Sequence, residues 1–169
     1  MAKHSWSFLA LASATLLAAA GTRAAQAADE PKPVDACALV TKSEAEQILG
    51  KPVREPEHPL EGAAVYAVTS CTYRAATGME RVSLVVIAAI DAAAARSAFD
   101  LEKKQAVTQM NVTPVDVPGI GDAAFWEGGM FNKLRVLSGR VGLSVGITGE
   151  TTPDGKLRAV AQTAIQRLR

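Results

Sequence analysis

The residues "DVPGIGDAAFWEGG" (116–129) hold the one spacing in this chain that matches a nucleotide-binding loop. Gly119-x-Gly121-x-x-Ala124 has glycines where a tight turn and a close backbone approach to a pyrophosphate require them. That chemistry also needs a strand before the loop and a helix after it, its positive end aimed at the phosphate. Here Gly121 is followed by Asp122, Ala123, Ala124, Phe125, Trp126 and Glu127, and then by Gly-Gly. The segment is too short and too aromatic for a crossover helix, and strand–helix alternation on that scale is missing. The glycines are expected to take positive φ in a turn that enters a strand. No nucleotide and no other cofactor is expected.

Other chemistries find little material. Past residue 27 the chain has one histidine, His58, set between prolines in a loop, and it has no G-x-S-x-G elbow. A zinc site needs three or four ligands, and one histidine with two cysteines does not supply a usual set. The chain has 17 acidic residues, but no pair stands at a spacing that singles it out for acid–base work. Catalytic residues and metal ligands are therefore not expected, and neither is enzymatic activity. A hydrolase with an unrecognised carboxylate site is kept as a minor alternative.

The compartment is read from the first 27 residues. Lys3 and His4 precede the uncharged apolar run "WSFLALASATLLAAA" (6–20), which leads to Ala25-Gln26-Ala27, a small-x-small cleavage pattern. This is expected to be a secretory signal cut after Ala27, of the general rather than the twin-arginine type, with the product periplasmic or secreted. A run this short is not expected to stay in a membrane. Removing it takes away Lys3 and Arg23 and no acid, leaving 16 bases against 17 acids. Near-neutral charge and the lack of a basic, aromatic-interleaved stripe speak against nucleic acid as a partner. Cys37 and Cys71 are an even count in an oxidising compartment, which reads as a disulfide. The alternative is a redox pair, but such pairs usually stand as C-x-x-C.

The elements that position these residues follow from periodicity and punctuation. Residues 28–36 form a polar, proline-bearing, flexible lead-in to a single domain over 37–169. Thr41 and Glu44 stand as a capping box ahead of Ala45, Ile48 and Leu49, and Gly50 and Pro52 end that short helix. "REPEHPLEG" (54–62) carries two prolines, so an edge strand near Pro52–Arg54 followed by a loop is expected. Strands are expected over 64–75 and 81–90. The second has Val82, Leu84, Val86 and Ala88 on one face; its other face becomes apolar at Val85 and Ile87 and needs cover there.

Asp91 caps a helix whose stripe is Ala94, Ala98 and Leu101, widened by Ala95 and Phe99, with Arg96 and Asp100 paired opposite. Glu102 falls inside that stripe. The plainer expectation is that it snorkels out near a frayed end; the alternative is a buried acid with a partner. Strands follow over 123–126, 133–138 and 141–148, the last two joined through Ser138-Gly139. The final helix is expected to be capped by Thr152 with Pro153 in its first turn. Its apolar stripe is Leu157, Val160, Ala161, Ala164, Ile165 and Leu168. The class is α+β, with an antiparallel sheet of about six to seven strands and two or three helices packed on one face. Strand, turn, strand, helix occurs twice (71–104 and 123–168), a loose internal duplication.

Binding is the remaining class of function. Phe125 and Trp126 alternate, so one is expected in the core and the other partly exposed, with Tyr73 and Phe131 as company. Trp126, Tyr73 and Phe125 are the candidate ligand-binding residues. The small face of the last strand, Gly142, Ser144, Gly146 and Thr148, admits a close neighbour: a tightly packed helix, or an apolar groove. A second candidate surface is the 54–62 loop, with Arg54, Glu57 and His58 as contacts to a partner protein.

The segments "DACALVTKSEAEQILGKPV", "SCTYR", "VPGIGDAAFW", "LRVLSGRVGLSVGI" and "AVAQTAIQRL" together resemble a family. It is the group of small exported bacterial proteins and lipoproteins known as domains of unknown function, some similar to the PsbP-like sandwich of sheet and helices. The resemblance spans about residues 35 to 168. It implies that Cys37 and Cys71 pair and that Gly119, Gly121 and Trp126 belong to the framework; it implies no reaction. Many relatives carry a lipid-attachment cysteine and this chain departs from that, so tethering does not carry over. The expected function is a non-catalytic binding or accessory module for an envelope component, a small apolar ligand or a protein partner. An inhibitor or immunity-type protein acting through the 54–62 loop is the alternative.

Overall fold

The computed structural model describes residues 30–57, 60–63, 66–128, 132–149 and 154–168, with backbone only for 60–63. His58 and Phe131, and the Thr152 cap with Pro153, lie outside the described residues. Seven strands form one antiparallel sheet: β1 (Leu60–Ala63), β2 (Tyr66–Arg74), β3 (Arg81–Ala89), β4 (Val115–Asp116), β5 (Ala123–Glu127), β6 (Lys133–Ser138) and β7 (Val141–Thr148). Their spatial order is β1-β2-β3-β7-β6-β5-β4. The described residues also form four helices: α1 (Ala36–Leu39), α2 (Lys42–Leu49), α3 (Ala92–Thr108) and α4 (Asp154–Arg167). The class is α+β, as expected.

The helices lie on both faces of the sheet, not on one. Alternation splits each strand between two cores. Val82, Leu84, Ala124, Leu134, Val136 and Val145 pack with α1, α2 and α4. Ala89, Phe125 and Leu137 pack with Ala95 and Phe99 of α3. The reason is that β5 and β6 are apolar on both sides. Phe125 and Leu137 would stand uncovered if every helix sat over Trp126 and Leu134. The last strands of the two halves, β3 and β7, lie side by side in the sheet, but the helices that follow them, α3 and α4, take opposite faces.

Local signals explain the helix ends. Thr41 and Glu44 form the capping box, and Gly50 ends α2 in the left-handed region. The Asp91 carboxylate caps α3, accepting from Ala94 N–H at 2.7 Å. Helix α1 was not foreseen. Asp35 caps it, accepting from Cys37 N–H at 2.9 Å. Of the expected lead-in, Pro31 is buried and the Val34 carbonyl accepts from the Thr69 hydroxyl.

Two edge assignments change. The expected strand near Pro52–Arg54 is a single bridge between Val53 and Ala75, and the edge strand is β1, inside the segment read as a loop. The opposite edge, β4, falls between Pro114 and Pro118, in a stretch whose sequence carries no strand signal. The stripe of α3 is also rotated from its expected position. Ala95, Phe99 and Ala106 are buried while Leu101 is exposed. Phe99, its largest apolar side chain, sets the facing: it meets Phe125 edge-on, with ring centroids 5.0 Å apart.

Candidate functional site

The glycine-rich segment resolves into framework. Gly119 and Gly121 have φ of 81° and 60°. A Cβ on Gly121 would stand 2.3 Å from the Leu137 carbonyl oxygen, so only glycine fits there. Asp122 N–H donates to that same carbonyl at 2.7 Å, and its carboxylate accepts from Gly139 N–H at 2.6 Å. The segment thus locks the start of β5 to the β6–β7 turn.

Cys37 and Cys71 form a disulfide that ties α1 to β2. Beside it, the Tyr73 hydroxyl donates to the Val40 carbonyl at 2.8 Å, and burial pushes this phenol above its ordinary pKa. Tyr73 is core and not ligand-facing, because its one polar atom is already engaged. Phe125 is fully buried beneath α3. Of the three candidate ligand residues the structure brings none together. Only Trp126 is half-buried; it packs on the α4-side core and lines a cavity.

That cavity has a volume of about 180 Å³ and is walled by Val115, Val117, Trp126 and Leu134, with Asp154 and Arg158 of α4 at its rim. A second cavity of about 560 Å³ lies on the other face, between α3 and the β4–β5 edge. Phe99, Pro118 and Ala123 line it, with Arg96, Asp100, Lys103 and Asp116 around it. Lys103 pairs with Asp116 across its mouth. The two cavities share Asp116 and Val117. A third, of about 320 Å³, separates α2 from α4. There Arg167 bonds the Glu44 carboxylate with two nitrogens, each at 2.7 Å, and holds it well below the usual carboxylate range, at about 2.

No family model matches the chain, and no curated protein matches it.

The expected partner loop is not free at its start. Glu57 pairs with Arg74 at 3.0 Å and exchanges backbone hydrogen bonds with Thr72, while Arg54 donates to the Ala76 carbonyl at 3.3 Å. Residues 60–62 belong to β1. Helix α3 contacts β3, β5, β6 and β7, and on the small face of β7 Ser144 and Gly146 are buried while Thr148 at its end is exposed.

Glu102 departs from the plainer expectation: it is the buried-side acid with a partner. It pairs with Arg135 at 3.2 Å, and Arg135 pairs with Glu127 at 2.8 Å. Glu127 is only 5% exposed. Burial pushes the Glu102 carboxyl up; Arg135 opposes this, Glu127 adds to it, and Lys133 opposes it. Two carboxylates share one guanidinium instead of facing each other across open space, so the trio fastens α3 to the sheet. A signal for it was present. Glu102 sits in the apolar stripe of α3, Glu127 alternates with Phe125, and Arg135 alternates with Leu137. All three are charged residues in registers that point inward. Among the described residues no group of three or more His, Cys, Asp or Glu is placed to hold a metal ion, and no helix is long and apolar enough to cross a membrane.

Proposed function

We propose that this protein is an exported, non-catalytic binding module whose contact surface is the Trp126 cavity at the β4 edge of the sheet. The observation that carries the reading is the state of Trp126. It is a large aromatic side chain left half-open beside Val115, Val117 and Leu134; among the described strands Tyr73 and Phe125 are buried, and Tyr66, also half-buried, packs on the opposite face. Amphipathic aromatics at the edge of an apolar cavity are the usual anchors of recognition. The signal-like N-terminus and the disulfide support an envelope location, and an envelope component or a protein partner is the corresponding class of ligand.

Native mass spectrometry of the protein mixed with envelope extract tests this. A bound mass on the wild type that is lost on Trp126→Ala is the expected result. No bound mass, or equal binding by the variant, would overturn the reading.

A further inference from the structure

The structure assigns an occupant to this edge: we infer that an extended peptide segment of a partner protein adds antiparallel to β4 as an eighth strand, one apolar side chain seated in the Trp126 cavity. This rests on the binding reading above and deepens it.

Size is the first ground. A volume of about 180 Å³ falls below the roughly 300–1,000 Å³ of small-molecule sites and suits one side chain. Main-chain geometry is the second. Val117 N–H donates to the Ala124 carbonyl at 2.9 Å, and in the same register Val115 opposes Trp126 and Asp116 opposes Phe125. Bonded and non-bonded pairs alternate along an antiparallel ladder, so Val115 and Val117 turn their main-chain groups to β5. Asp116 turns its N–H and C=O outward, away from the sheet. Alternation supplies the third ground. A residue laid opposite Asp116 puts its side chain on the α3 face, beside the charged rim of Arg96, Asp100, Lys103 and Asp116 around the second cavity. Its two neighbours put theirs on the α4 face, over Val115 and the Trp126 cavity. Pockets for alternate side chains on either face of an open edge are what strand addition uses for specificity.

A second copy of this chain fits worse than a foreign strand. Pro114 and Pro118 flank the edge and have no N–H to donate, so two such edges offer each other few donors. An ordinary peptide brings a donor at every residue. Val115 is 58% exposed, an apolar side chain on a sheet edge that a partner's apolar residue would cover.

The probe is a pool of acetyl-capped heptapeptides in which Val, Leu, Ile or Phe alternates with Thr or Gln, followed by amide NMR shifts of the full mature chain. Shifts are expected at Asp116 and its neighbours and at the Trp126 indole N–H. Two N-methylated pools supply the control. Methylation at the polar positions removes the N–H that reaches the Asp116 carbonyl and should weaken binding at least tenfold. Methylation at the apolar positions removes N–H groups that point away and should leave binding within about twofold. No shifts at millimolar pool, shifts confined to the α2–α4 cavity, or equal loss in both methylated pools would each overturn the inference. If Trp126→Ala still abolishes binding of an envelope component while the peptide pools fail, strand addition is wrong and the Trp126 binding reading stands.

Discussion

The two faces of the sheet are closed by different means. The α4 face is covered by three helices, its core cluster consists of apolar side chains, and a disulfide ties α1 to β2 beneath them. The α3 face is covered by one helix, holds a smaller cluster around Phe99 and Phe125, and fastens that helix with the Glu102–Arg135–Glu127 trio. A covalent tie and a large apolar area can hold a face at any pH. A face held by two carboxylates on one guanidinium depends on which of them carries charge. The contrast teaches where this molecule is rigid and where it responds.

The largest effect is expected from Arg135→Leu. It removes the guanidinium that both carboxylates share, and breaking such a buried network typically costs about 3–5 kcal/mol. A urea midpoint unchanged from wild type would erase the contrast between the faces. Next comes the disulfide. Cys37→Ser, or reductant on the wild type, should lower stability by about 3–4 kcal/mol, the loop-entropy value for a closed loop of this size. Insensitivity of the midpoint to reductant would show that packing alone closes the α4 face.

A smaller effect, with a distinctive sign, is expected from Glu102→Gln. Burial raises the Glu102 pKa, so the folded state favours the protonated, neutral carboxyl. The cost of its charge is present in full above the raised value and is gone below the ordinary 4.5. Glu102→Gln should therefore be the more stable protein at pH 8, with the difference closing as pH falls toward 4.5. Stability curves against pH that run parallel would refute this. Glu44 behaves oppositely. Its pKa is lowered to about 2, chiefly by hydrogen bonds from Arg167. Its contribution is present above the ordinary 4.5 and is lost as pH falls toward 2. This pair is partly exposed, so Arg167→Ala should cost no more than about 1 kcal/mol at neutral pH. The cost should shrink further in acid; a cost that grows in acid would reverse the assignment. Acid thus takes from the α4 face only the small contribution of the Glu44–Arg167 pair at its rim, and relieves the α3 face of the Glu102 charge.

Much of the fold was legible from short-range signals. The Thr41–Glu44 box, the Asp91 cap and the 81–90 alternation each have one local solution, and the structure takes it; the hairpin expected at Ser138-Gly139 forms one residue on, with Gly139 and Arg140 as its turn. The glycines of 119–121 were read as backbone punctuation, and their φ values bear that out. What was missed depends on partners distant in sequence. The facing of α3 is set by Phe125, twenty-six residues beyond Phe99, and periodicity around α3 alone could not choose between Leu101 and Glu102. Strand β4 is two residues between prolines, and it exists because β5 offers it an edge. Of the three aromatic candidates, Tyr73 and Phe125 turn into the two cores, a facing that depends on strand neighbours distant in sequence. Among these three aromatics only Trp126 stands where a ligand could reach it.

Trp126 offers the most direct test of that placement. A chain starting at Ala28 carries it as the one tryptophan, so acrylamide quenching of intrinsic fluorescence reports on this residue alone. Quenching intermediate between a core tryptophan and free indole, and reduced when the apolar-alternating peptide pool is added, is the expected result. Quenching near zero would make Trp126 core, and quenching equal to free indole would leave no cavity wall for a partner to fill.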